Sequence, residues 1–162
     1  MDRSRSAYRI EDEPRPGALA HLVVNPFWPF LAWMLAGAWC AWPWSVLNGF
    51  AVGSPTRFRE TAVALAGVVG TFAIALAGLA AFDAWDVEGS TPLRFLLLSV
   101  TLWQAGVCYA LHVLQSRSFG LHEYYGGVVR NGLPILVVAF LADERVVQPG
   151  LRALGPLLGL LT

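Results

Sequence analysis

A chain of 162 residues that is 56% hydrophobic and only 14% charged cannot hide its apolar surface inside one small soluble domain, so lipid is expected to cover part of it. Eleven basic residues balance eleven acidic ones, which leaves no electrostatic basis for a nucleic-acid partner. Every basic residue is arginine, and with the abundant Ala, Gly, Leu and Val this is the composition of a GC-rich bacterial genome. The expected object is an all-α, multi-pass protein of a bacterial inner membrane: a bundle of about four transmembrane helices, with the bilayer and other membrane subunits, or itself, as partners.

Residues 1–25 read as a polar N-terminal tail and a short interfacial segment. Arg3, Arg5, Arg9 and Arg15 are interleaved with Asp2, Glu11, Asp12 and Glu13, and no apolar core follows closely, so a cleaved signal peptide is not expected. Residues 17–25 are apolar but too short to span, and fit a helical turn or two at the interface.

The four-helix domain covers 26–145. The first span, about 27–49, carries five of the seven tryptophans: Trp28, Trp33, Trp39, Trp42 and Trp44. Trp28 at the entry and Trp42 and Trp44 at the exit suit the aromatic belts of the two interfaces. Pro43 predicts a kink, because it withholds a hydrogen bond from the carbonyl of Trp39. A polar turn over 48–60 leads to the second span, 61–82, which is built from small residues. Ala62, Ala66, Gly70, Ala73, Ala77 and Ala81 run along one face, and Gly67, Thr71, Ala75 and Gly78 along its neighbour. Leu65, Val68, Val69, Phe72, Leu76 and Leu79 gather opposite. Small faces allow close helix approach in lipid, so they are expected to pack and the bulky side to face outward.

After an acidic connector with Asp83, Asp86 and Glu88 comes the third span, 93–115. Inside it Thr101, Gln104, Cys108, His112 and Gln115 follow at steps of three and four, which puts all five on one helical face. A turn over 117–130 precedes the fourth span. Residues 131–142 alone amount to only about 18 Å of helix, short of a ~30 Å hydrocarbon core. Extending the span to 128–144 brings Arg130 to one surface and 143–145 to the other. Residues 146–162, with Pro149, Gly150, Gly155 and Pro156 among leucines, read as an interfacial or re-entrant tail. A faint internal echo, Val46, Leu47, Asn48 and Gly53 against Val113, Leu114, Gln115 and Gly120, raises the prospect of two helical hairpins with the same topology. Arginines nearly balance between the two sides, so orientation stays open.

One membrane surface collects the residues able to do chemistry: Asn48, Arg57, Arg59, Glu60, His112, Gln115, His122, Glu123, Tyr124, Arg130 and Asn131. Ionisable groups near a membrane are costly to place, which makes that surface the default site. His112 and His122 are the pair that a haem or pigment would require, although no cofactor is expected. His21 belongs to the other surface, and three or four metal ligands do not assemble. Cys40 and Cys108 fall in separate apolar runs and read as small hydrophobes. His122–Glu123 starts like a zinc-protease motif, but Gly126 stands where the second histidine belongs. There is no lysine for a phosphate loop, no Gly-x-Ser-x-Gly elbow and no Cys-x-x-Cys. No span carries a central acid for proton relay. The reading is a non-catalytic structural, scaffold or assembly subunit of a membrane complex. A haem- or pigment-carrying redox subunit and a small-solute pore lined by the polar face are the alternatives.

Overall fold

One glycine divides the first apolar run. In the computed structural model, which describes residues 17–86 and 89–147, α1 is Phe27–Ala36 and α2 is Ala38–Val52, with Gly37 between them at φ 87°, ψ 177°. That backbone is open to glycine and strained for any other residue, so the helix breaks there. Pro43, the expected kink, stays inside α2 with its ring exposed. A single span over 27–49 is therefore not what forms. The two pieces fold back on one another: the N–H of Val24, ahead of α1, donates to Oδ1 of Asn48, near the end of α2, at 3.0 Å. At 1.5 Å per residue α1 is about 15 Å long and α2 about 22 Å.

Gly53 closes α2 in the left-handed conformation, φ 71° and ψ 33°, with its N–H on the carbonyls of Gly49 and Phe50. A short turn leads into α3, Arg57–Ala84, and α4, Ser90–Tyr124, returns alongside it. These two helices are long and apolar enough to cross a membrane, with mean hydropathy of 2.2 and 1.5 over their most apolar stretches. Only 11% and 17% of those stretches is buried within the chain, whereas the core helix of a soluble protein is mostly buried.

Among the described residues two helices, and not four, have the length and apolarity of a span. The last helix, α5, is Leu133–Ala142, about 15 Å, followed by a π-helical turn over Asp143–Val147. The helix does not extend back to Val128, because the backbone there is bound elsewhere. Arg130 N–H donates to the Val23 carbonyl at 2.7 Å, and Asn131 Oδ1 accepts the N–H of Leu133 at 2.9 Å. The turn expected over 117–130 is shorter too, since α4 stays helical through His122. Gly53 caps a helix whereas Gly120 lies within one, so the two halves do not share one hairpin topology. The short segment at 17–25 forms a 3-10 turn at Ala20–Leu22. The expected polar tail over 1–16 and the C-terminal tail beyond 147 lie outside the described residues.

Large side chains of α4 and α2 choose the packing face of α3. Val107 and Trp42 close over Gly67, Trp103 over Gly70, and Leu96 over Gly78. Trp103 also donates its indole N–H to the Gly67 carbonyl at 3.0 Å. Ala64 and Gly67 are buried, whereas Ala62, Ala66, Ala73 and Ala77 are exposed, and of that row Gly70 and Ala81 are half-buried. The seam thus runs mainly along the neighbouring small face, through Gly67 and Gly78, and takes Gly70 from the expected row, because glycines at these positions make room for Val107, Trp103 and Leu96. Leu65, Val69, Phe72, Leu76 and Leu79 point outward.

Helix α5 runs beside α1. Trp28 lies over Gly132 at one end, and Trp39 Nε1 donates to Asp143 Oδ1 at 2.9 Å at the other. Helices α1 and α2 therefore cover only the part of α3 and α4 that carries the turn at 53–56, and α5 packs on the outer side of α1. No residue among 71–86 or 89–106 is buried.

Candidate functional site: a buried carboxylate at the foot of α3

Glu60 lies in the first turn and a little beyond the start of α3, and its side chain is fully buried. An acidic residue there is favoured by the unpaired N–H groups of the helix start. Its Oε1 accepts from Ser54 Oγ at 2.6 Å and Thr56 Oγ1 at 2.8 Å, and its Oε2 accepts from Gln115 Nε2 at 3.0 Å. Gln115 is only 2% exposed, and the same Nε2 donates to the Ser45 carbonyl at 2.5 Å. Asn48 Nδ2 donates to Gln115 Oε1 at 3.3 Å, while Asn48 Oδ1 holds the Val24 N–H. Ser118 Oγ donates to Ser54 Oγ at 3.2 Å. One network thus ties the strand-like piece at 23–24, α2, the turn, α3 and α4 together.

A buried carboxylate is costly unless its oxygens are satisfied. Among the described residues no arginine pairs with Glu60; hydroxyls and an amide do that work. Arg57 instead lies over the rings of Phe50 and Phe58, at 5.5 and 5.2 Å from their centroids. With both oxygens bonded inside the protein and none exposed, the arrangement can clamp helices but presents no atom to a substrate. Gly49 makes it possible, because a Cβ at that position would collide with Oε2 of Glu60.

Of the expected surface cluster, the structure brings Asn48, Glu60 and Gln115 together. Arg59, Glu123 and Tyr124 are exposed, Tyr124 with its ring edge-on to Tyr125. Arg130 and Asn131 lie by the start of α5, where Arg130 Nε donates to the His21 carbonyl at 3.3 Å. That contact also places His21 beside Arg130 rather than on the opposite surface.

The two remaining histidines do not meet. His112 packs against Phe30, ring centroids 5.8 Å apart, and its Nδ1 is buried without a hydrogen-bond partner. His122 is packed on Gly127, with Nε2 at 3.3 Å from the Val128 carbonyl. Ten residues separate them along α4, about 15 Å of rise, so they do not face a common atom. Among the described residues no group of three or more His, Cys, Asp and Glu could hold a metal.

The polar face of α4 is of mixed character. Thr101 is exposed and bonds the Leu97 carbonyl of its own helix at 2.9 Å. Gln104 is half-buried, and Cys108 is buried in the apolar cluster that holds Trp42 and Leu111. Ser54, Thr56 and Ser118 were not among the expected site residues. Ser118 was within reach of the sequence: it continues the stripe three residues beyond Gln115, and His122 follows four further on.

No family model, curated protein or solved structure matches this chain.

Proposed function

We propose that the protein is an integral membrane component of scaffold or assembly type, in which α3 and α4 cross the bilayer and no part is catalytic. At 28 residues α3 is about 42 Å long, enough for a ~30 Å hydrocarbon core with its ends in the headgroups. The carboxylate network then lies near one surface, and α1, α2 and α5 enter from that surface and stop about half-way. The Trp39–Asp143 hydrogen bond at their tips pairs two polar groups at a depth where water is scarce.

The observation that carries this reading is the bare half of the α3–α4 hairpin. Its residues 71–86 and 89–106 include none that is buried, yet they present Phe72, Leu76, Leu79, Phe95, Leu97 and Leu98. An open two-helix face with a row of alanines beside it accepts a further helix closely, from another subunit or a second copy. Purification in mild detergent followed by mass measurement tests it. The expected result is a mass above that of one chain, through a co-purifying subunit or self-association; a stable lone monomer overturns it.

A further inference from the structure

A pocket of about 230 Å³ opens between the Ala20–Leu22 turn, α2 and α5. Leu22, Trp44, Leu47 and Ile135 make its apolar wall, and Arg130 and Asn131 supply its polar edge. Leu22, Leu47 and Ile135 are each about half or more exposed, so the pocket is open sideways at the ends of the helices, where the bilayer reading puts the headgroup boundary. Arg130 spends Nε on the His21 carbonyl and has no carboxylate partner among the described residues, which leaves its terminal nitrogens to an outside acceptor. At about 30 Å³ per water-sized group the volume takes roughly eight such groups, the upper part of an acyl chain and not a whole one.

From this we infer a binding site for one anionic phospholipid, its phosphate on Arg130 and Asn131 and the first part of one acyl chain in the pocket. The charge of the surroundings agrees, because Arg59, at the start of α3, and Arg117 line one recess at the end of the bundle that carries the turn at 53–56, and attract anionic headgroups. A phospholipid is preferred to a free fatty acid because the opening is lateral and the pocket is shorter than a full chain, so the remaining hydrocarbon stays in the bilayer. The inference rests on the membrane reading above.

The test uses the full chain in phosphatidylcholine nanodiscs with and without phosphatidylglycerol, re-extracted into mild detergent, with bound lipid counted by native mass spectrometry. Phosphatidylglycerol is expected to stay bound in preference to phosphatidylcholine. Arg130→Gln should lower its retention about tenfold, the worth of one hydrogen-bonded charge pair. Ile135→Trp, which shortens the pocket and keeps the arginine, should lower it as well, and Leu47→Trp repeats that arm at a more exposed position. Arg94→Gln, at the other end of α4, should leave retention unchanged, and circular dichroism should show each variant equally helical. Equal retention by Arg130→Gln, an equal loss in Arg94→Gln, equal binding of phosphatidylcholine, or oleate taking the site in place of phosphatidylglycerol each overturns the inference. A chain that stays in solution without detergent overturns the membrane reading itself; an unaltered Arg130→Gln in a bilayer overturns only the lipid site.

Discussion

The carboxylate of Glu60 stands in the space that a side chain at position 49 would need. Helices α2 and α3 meet there through a glycine on one and a buried acid on the other, with Gln115 of α4 closing the third side. Gly49→Ala forces that carboxylate off its donors, so it should destabilise the fold by about 3 kcal/mol, the upper range for an overpacked site. Gly106→Ala and Gly120→Ala are the controls. Both lie within α4, where an added Cβ meets nothing within 4 Å, and they should be neutral or stabilising by up to about 1 kcal/mol. Reversible unfolding in mixed micelles measures all three, and equal losses at positions 49 and 106 would show that the contact does not matter.

Replacing Glu60 by glutamine tests the direction of the hydrogen bonds. The new carbonyl oxygen can take the hydroxyls of Ser54 and Thr56, but the new amide then points two hydrogens at the Nε2 of Gln115. Donor facing donor in a buried place should cost about 1–3 kcal/mol. In a Gln115→Met background that conflict is absent, so the cost of Glu60→Gln should shrink, a coupling of about 1 kcal/mol. A double-mutant cycle without coupling would mean that Glu60 and Gln115 are neighbours and not partners.

The residues of this network show how far the sequence could be read. Asn48, Glu60 and Gln115 were legible as polar positions gathered at one end of the apolar runs, and the long helices α3 and α4 were legible because their apolar stretches exceed the length of a span. Gly37 was not. A single glycine among apolar residues carries no sign that its φ is positive, and Pro43 nearby is the louder break signal. The choice between two adjacent small faces of α3 was equally hidden, because it depends on where Trp103 and Leu96 of α4 arrive. Ser118 was missed for a simpler reason: ending the third helix near residue 115 cut the stripe before its next member.

The hairpin at Gly37 yields a distance. Spin labels at Phe27 and Leu47, both exposed, should lie near one another, because packed helices run about 10 Å apart. A continuous helix would separate the same positions by about 30 Å, twenty residues at 1.5 Å each. Double electron–electron resonance distinguishes the two without ambiguity. Gly37→Ala should shift the distribution toward the long distance or lower the stability, since alanine is strained at φ 87°.

The exposed row on α3 separates assembly from folding. Ala73 and Ala77 touch the chain's outside and lie in the half of the hairpin that α1, α2 and α5 do not cover. Ala73→Leu with Ala77→Leu removes no packing within the chain, so stability should stay within about 0.5 kcal/mol per site, as for exposed positions away from special features. If another helix docks on that row, the same pair of leucines holds it off and lowers the mass seen in mild detergent. Gly70→Leu nearby behaves differently, because Trp103 already fills its space, and it should unfold the α3–α4 seam before any question of assembly arises. Loss of association with folding intact, at positions 73 and 77 but not at the outward-facing Leu76→Ala, is the result that assigns the docking face to the alanine row.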